Sequence, residues 1–530
     1  MDKKVIIAIA VAVVFLLLYP YYMKKVAPVP SVDETSTEAM ETDAFGEPVP
    51  ALAPAPPTSA TDAVMGKFKD MVGLGEGKAK RKIALKARDE ARSVQETIKE
   101  GEEVVIVETP LYKAVISSIG GGIKSFELKN YHESQEEGSP LVNMSSKVGG
   151  EYPLQTRLKI AGLKENASFI FNSGDMKLTE GEQRSLKLST ISPNGTIVEK
   201  QFTFNGSTYL IDTAVDVTNG GTAKLKGSTT NVLTATYYVE FARFHSGPVT
   251  FVKEKASRLK NDDAAEIGRG GVKWLGLEDK FFLLAIMPGE DVIAGWKQDF
   301  VTESSARTEL TYPLDLKPGA KTGYTFSSYI GPKEYKILKE LPGEIEEAIE
   351  FGFFSFMAKP VLSILNFFQK FVVNYGIAII LLTVVIKIVF YPLTKKSLSS
   401  MKDMQKLQPQ MKALKEKFKD DKQRQNKEVM ELYKRHKVNP LGGCLPMVLQ
   451  IPVFIALYEV LSVAIDLRHA PFLFWITDLS ARDPYYISPI LMGGSMFLQQ
   501  KMSPSSMDPM QSKMMMMMPV VFTFLFLKFP

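Results

Sequence analysis

The sequence predicts a multi-domain protein: an α-helical membrane bundle with five spans, a large extracytoplasmic antiparallel β-sandwich and a cytoplasmic helical hairpin. Three observations predict it. Uncharged apolar stretches gather at the two ends of the chain, the long middle alternates apolar and polar side chains with period two, and positive charge is concentrated in one short segment. Averages over the 530 residues hide all three, because 64 basic against 59 acidic side chains, a net charge of +5 and 45% hydrophobic residues would suit a soluble protein. They do exclude a collagen-like, disulfide-scaffold or wholly disordered chain, and the length implies more than one folding unit. The single cysteine, Cys444, excludes an intramolecular disulfide, and four scattered histidines supply no zinc or redox motif, so neither metal nor cofactor is expected.

Residues 1–26 read as an amino-terminal anchor. Val5 to Met23 carries no charge, with Lys3 and Lys4 before it and Lys24 and Lys25 after it. At about 1.5 Å per residue the stretch nearly matches a hydrocarbon core of roughly 30 Å. A cleaved signal peptide is the rival reading, disfavoured because no small-x-small site follows. Residues 27–101 form a linker, first rich in Pro, Ala, Ser, Thr and Glu and then highly charged, a composition that cannot bury a core. From 102 to 332 the pattern becomes strand-like. Tyr209, Ile211, Thr213, Val215 and Val217 fall on one face and Asp212 and Asp216 on the other, while Asn194-Gly195, Asn205-Gly206 and Asn219-Gly220 punctuate the chain as hairpin turns. His132 and His245 stand alone, and Gly120-Gly121-Gly122 precedes a strand-like stretch instead of a phosphate-binding helix, so the sandwich presents no catalytic constellation.

Residues 333–360 combine Glu344, Glu346, Glu347 and Glu350 with Phe351, Phe353, Phe354 and Phe356, which suits an amphipathic helix in the membrane interface; a packing helix at the domain junction is the alternative. The membrane core follows over 361–530, with spans at about 371–393, 441–465, 485–500 and 514–530. The last two are short for a full crossing, so they either thin the bilayer locally or are not spans at all. Between Pro392 and Pro440 stand fourteen basic and six acidic side chains, a local excess of eight, so the rest of the chain nets to −3. A short basic loop between spans marks the cytoplasmic side, and Met404, Leu407, Met411, Leu414 and Phe418 lay a heptad seam continued by Val429, Leu432 and His436 beyond a polar turn at Asp420 to Asn426. A helical hairpin over 395–438 results, with Pro409 marking a kink or a helix start. Lys412, Lys415, Lys419, Arg424 and Arg435 are its candidate contacts to anionic lipid, a ribosome or an acidic targeting receptor; a solvated loop with no partner is the alternative, and no DNA contact is expected. Alternation then places the amino terminus in the cytoplasm, the sandwich outside, 466–484 outside and 501–513 inside, in a multi-pass membrane protein.

Lys387 stands within an apolar helix about 12 Å before Lys395. A charge at the bilayer centre costs from about 2.5 to 17 kcal/mol according to method, so such residues face a bundle interior or a watery cavity; snorkelling to the interface is the alternative. Thr383 lies one turn away on the same face, and Gln450, Glu459 and Gln499 add polarity to neighbouring spans. Together they predict a hydrophilic groove open to the cytoplasm. An intramembrane charge also serves transporters and channels, but these predict internal repeats or broken helices, and no repeat is found.

Five strings carry a resemblance: Asn439-Pro-Leu-Gly-Gly-Cys-Leu-Pro446, Gln450-Ile-Pro452, Ala481-Arg-Asp-Pro-Tyr-Tyr486, Gln500-Lys-Met-Ser-Pro504 and Asp508-Pro-Met510. In this order and spacing the chain resembles the YidC/Oxa/Alb family of membrane protein insertases, strongly over 350–530 and more loosely over the sandwich. The resemblance implies a bacterial inner membrane with the sandwich in the periplasm, and no enzymatic chemistry. It implies that Lys387 is the groove cation with Thr383 beside it, that Ile451, Phe454, Leu525 and Phe526 form a greasy slide for the substrate helix, and that nascent membrane proteins and the Sec translocon are the partners. The family usually carries Arg where this chain has Lys387, which keeps the charge but loses the planar fork. It also continues into one further span beyond Phe529-Pro530, so the sequence is expected to be a shortened form.

Overall fold

The structure, a computed structural model, describes residues 101–237, 244–289, 294–436, 438–439, 442, 445–502, 509–527 and 529. The expected anchor (1–26) and the linker up to residue 100 lie outside the described residues.

Among the described residues, strand-forming segments build three sheets, one of nine strands and two of five. In the nine-stranded sheet Leu210–Thr218 lies between Ile197–Asn205 and Lys321–Pro332. Ile211, Val215 and Val217 are fully buried and Thr213 nearly so, while Asp212 is exposed, as the period-two pattern requires. One five-stranded sheet has Ser305–Leu316 paired with Leu225–Thr236, and the other has Tyr112–Ser117 between Val104–Glu108 and Ile123–His132. Aromatic rings join the layers: Tyr312 stacks on Tyr324 of the large sheet at 3.6 Å between centroids, and the Tyr324 hydroxyl lies 2.6 Å from that of Thr229.

Two details depart from expectation. The sandwich is not wholly antiparallel, because Met176–Lys177 runs parallel to Val107 and Glu108. Its chain arrives from the nine-stranded sheet, and a connection that is no hairpin is free to lie parallel. The Asn-Gly pairs do mark turns, but with longer loops than the two-residue hairpin. Gly195 takes positive φ (+83°) whereas Asn194 does not, and Asn219-Gly220 leads to another sheet, the Asn219 amide donating to the carbonyls of Ala223 and Leu316. Gly120 and Gly121 have φ of +62° and +59°, and the Gly121 carbonyl accepts from the buried Lys200 ammonium at 3.0 Å. Lys200 also donates to Thr156 Oγ1 at 2.8 Å and to the Leu154 carbonyl, so this cation is satisfied by the fold.

The stretch 333–360 is not one helix. It contains α1 (Tyr335–Lys339), a 3-10 turn at Ile345–Ala348 and the first turns of α2 (Ser355–Gln369). Glu344, in left-handed backbone at φ 58°, and Gly343 at φ 83° break the pattern, and the acidic residues engage the sandwich and α2 instead of lining one face. Lys273 pairs with Glu344 at 2.7 Å and Lys359 with Glu347 at 2.9 Å. Phe351 and Phe354 are buried, and Phe353 and Phe356 are exposed.

Beyond it run α3 (Tyr375–Lys417), α4 (Lys422–Arg435), α5 (Leu445–Val463), α6 (Ile487–Met502) and α7 (Pro509–Phe526). The expected span and the first hairpin arm are one 43-residue helix, α3, which continues through Pro392 and Pro409. Pro409 is therefore no helix start: each proline removes one ladder bond, and the surrounding turns keep theirs. Among the described residues α3 is the one helix long and apolar enough to cross a membrane; Val448–Val463 and Met515–Phe526 are shorter apolar stretches.

Candidate functional site

Helix α3 carries Lys387, the candidate groove cation, and its local sequence explains its start. Asn374 caps it, its side-chain oxygen accepting from the backbone N–H of Gly376 (2.9 Å) and Ile377 (3.2 Å). Thirteen positions later Lys387 is exposed, among equally exposed Val384, Ile388 and Val389, whereas Ala378 and Leu382 are buried. Thr383, one turn before Lys387 and on the same face, is half-buried and donates its hydroxyl to the Ile380 carbonyl at 2.7 Å.

The other expected groove and slide residues lie on the remaining helices. Gln450 is half-buried on α5, next to exposed Ile451 and Phe454; Gln499 is exposed on α6; Leu525 is exposed and Phe526 half-buried on α7. Ile451 and Phe454, three apart, share a face. Phe526 packs on Phe529 at 5.1 Å, and Phe529 meets Tyr458 of α5 at 5.5 Å, so the end of α7 reaches α5 one turn beyond Phe454. Among the described residues no hydrogen bond or ion pair ties Lys387 to Gln450 or Gln499. Glu459 is placed elsewhere, its carboxyl facing Gly352 just before α2. Helices α6 and α7 meet closely at Gly493, where a Cβ would run into the Thr523 hydroxyl.

The basic segment is tied down at its turn. Asp421 caps α4 by accepting from the Arg424 N–H at 2.9 Å, Gln425 donates to the Lys415 carbonyl at 2.8 Å, and the Tyr433 hydroxyl reaches Met411 Sδ at 2.9 Å. Met404, Leu407 and Met411 of the predicted seam are buried, but His436 is exposed and does not continue it. The polar turn is shorter than expected because α4 begins at Lys422. Lys412 and Lys419 project into solvent, Lys415 is half-buried, the Arg424 guanidinium stacks 5.1 Å from Phe418 and Arg435 pairs with Glu431 at 3.1 Å.

Several residues around the amino-terminal end of α3 escaped the sequence. Tyr375 donates to Asp466 at 3.2 Å, and Arg468 donates to the carbonyls of His132 (2.7 Å) and Glu133 (3.2 Å). Burial raises the Asp466 carboxyl above its ordinary range, and burial and then the nearby Asp466 raise Glu334. A second cluster joins the sandwich to the start of the 333–360 stretch: Glu278 receives Arg258 at 2.7 Å and Lys333 at 2.8 Å, and despite complete burial, which opposes ionisation, those two cations hold its carboxyl below the usual range. Asp483, in the Ala481–Tyr486 string, accepts from the N–H groups of Tyr485 and Ser488 and fixes the turn into α6; slight burial opposes ionisation, but these bonds push its carboxyl down to about 2. Asp483 lay in a string already singled out, and Asn374 left a local signal as a capping residue immediately before an apolar run; the others left none.

Comparison with known proteins adds what geometry alone does not. Residues 104–364 match the family model of the YidC periplasmic domain, and residues 367–530 match that of the 60Kd inner membrane protein. The membrane protein insertase YidC of Geobacter metallireducens is 40% identical over 100% of this chain and 94% of its own length, and that of Syntrophus aciditrophicus is 39% identical over 100% and 95%. The Geobacter sulfurreducens insertase is 43% identical over 80% of this chain and 81% of its own. Among solved structures, a galactose mutarotase related enzyme from Lactobacillus acidophilus matches 43% of this chain and 97% of its own at 13% identity and a TM-score of 0.33, a likeness too weak to carry any argument.

Proposed function

The chain belongs to the YidC family of membrane protein insertases, and on that premise we propose that it moves hydrophobic segments into the bilayer through a wet groove centred on Lys387. That it is an inner-membrane insertase acting on nascent membrane proteins follows from relatives matched along its whole length, which do not favour a transporter or channel. The groove, the slide and the five-span topology with a periplasmic sandwich and cytoplasmic basic arm are the proposal.

One observation supports it above the others. Lys387 is exposed on the same apolar helix face as Val384 and Ile388, where a lipid-facing ammonium would be expensive. The cation is therefore assigned to water, in a cavity that accepts the polar flank of an incoming segment and lowers the desolvation penalty of moving that flank. The apolar face of the segment passes over Ile451 and Phe454 of α5 and Leu525 and Phe526 of α7 into lipid. No bond is made or broken, and an acidic flank gains about 2.3 kcal/mol per charge per 100 mV from a positive outside. The exposed Lys412 and Lys419, with Lys415, Arg424 and Arg435, are assigned to a ribosome or targeting receptor, and the Sec translocon to cooperation with the membrane core.

The test is insertion of a single-span substrate with an acidic tail into vesicles containing the full chain. Lys387→Leu and Lys387→Glu are expected to insert it at least tenfold more slowly; parental rates in both would remove the groove cation from the mechanism.

A further inference from the structure

The amide of Asn374 does two jobs at once. Its oxygen caps α3, while its Nδ2 donates to the carbonyls of Phe472 (2.9 Å) and Pro471 (3.3 Å) in the loop that follows α5. The next two residues repeat the attachment: Tyr375 donates to Asp466, and a Cβ on Gly376 would collide with the Phe472 ring. That loop is held in turn by the sandwich. Arg468 donates to His132 and Glu133 with its guanidinium 5.5 Å from the Phe282 ring, and Gln135 donates to the carbonyls of His469 (3.1 Å) and Thr477. From Tyr375 to Tyr391 the helix contains no proline, and Pro392 and Pro409 both come after Lys387. The roughly 20 Å between clip and cation is thus an unbroken ladder that transmits depth and rotation, while bending is confined to the side beyond the cation.

We propose that Asn374 is a positioning residue for insertion: by clipping the outer end of α3 to the loop held by the sandwich, it sets the depth and rotation at which Lys387 meets the substrate. The proposal rests on the groove reading above. A side chain that only caps would be replaced by aspartate without loss, because a carboxylate at a helix N-terminus accepts the same N–H bonds and favours the dipole. A clip would not, since aspartate has no donor for Phe472 and Pro471 and turns a negative charge toward their carbonyls.

The experiment uses the full chain in vesicles with Cys444→Ser, removing the single native thiol, and a cysteine placed at Val384 or Ile388, both exposed on α3. Labelling by a membrane-impermeant maleimide gives a ratio between the two positions that reports rotation and depth. In Asn374→Asp that ratio is expected to change several-fold and insertion to fall roughly tenfold, as for small misplacements of a working group, at unchanged levels of membrane-assembled protein. Phe472→Ala, with Asn374 intact, is expected to shift the ratio in the same direction and covers the case in which the aspartate variant does not accumulate. An unchanged ratio in both variants overturns the proposal, whatever happens to insertion. Normal insertion by Lys387→Leu with a shifted ratio in Asn374→Asp would instead remove the groove reading and leave the clip standing.

Discussion

The sandwich and the helices after it treat apolar side chains in opposite ways. In the sandwich Ile211, Val215, Phe202 and Trp274 are fully buried, and the two most deeply buried charges, Lys200 and Glu278, are matched by carbonyls or cations. In the helical part Ile388, Phe454, Leu491 and Leu525 lie half or more exposed, and buried positions are few. One half hides its apolar surface from water; the other displays it. The helices therefore await a different solvent, and in that solvent it is the exposed charge, not the exposed leucine, that needs explaining.

That contrast can be broken most severely in the sandwich. Glu278→Ala strands Arg258 and Lys333 and is expected to remove about 3–5 kcal/mol, read as a lower urea midpoint for proteolysis of the sandwich in the full-length protein. The same network gives a pH dependence. Because the Glu278 carboxyl is held low, its stabilisation is complete above the ordinary glutamate range and is lost as pH falls through the depressed value, and Glu278→Gln should flatten that acid limb. A matched pair sharpens the comparison: Ile211→Ala should cost about 2–5 kcal/mol, whereas Ile388→Ala, with no core to lose, should stay within about 0.5 kcal/mol in the same proteolysis assay. At the junction the sign reverses. Asp466 is raised by burial, so its contribution is present at low pH and declines as pH rises through the raised value; Asp466→Asn should melt slightly higher than the parent at neutral pH, with the gap closing on acidification. The smallest effect is expected from Lys387→Arg, which keeps the cation and should insert an acidic-tailed substrate within about threefold of the parent.

How legible each part was follows from how local its physics is. The strand through Ile211 to Val217 showed itself because alternation is written in consecutive residues, and Lys387 drew notice, as the cation of the proposed groove, because a charge in an apolar run has no local reason to be there. The same locality misled at 333–360, where a plausible amphipathic run is cut by Gly343 and Glu344 in left-handed backbone. It misled at His436 too, since a heptad says which residues align and not which of them finds a neighbour. The junction was illegible: Arg468 meets His132 across 336 positions and Lys333 meets Glu278 across 55, and no period or motif links such pairs. Asn374 falls between, its cap readable from its neighbours and its grip on Phe472 hidden in the fold.

The length of α3 has a consequence for what its basic end can sense. Forty-three residues make a rod of about 64 Å, roughly twice a 30 Å hydrocarbon core. On the proposed orientation, a rod that enters the core near Tyr375 leaves it near Lys395, and Lys412, Lys415 and Lys417 then stand some 15 Å or more past the headgroups, beyond the roughly 8 Å Debye length of physiological salt. On that orientation, and with the helix straight through Pro392 and Pro409, those cations would be electrically deaf to the membrane on which they stand, leaving their field for whatever approaches from the same side.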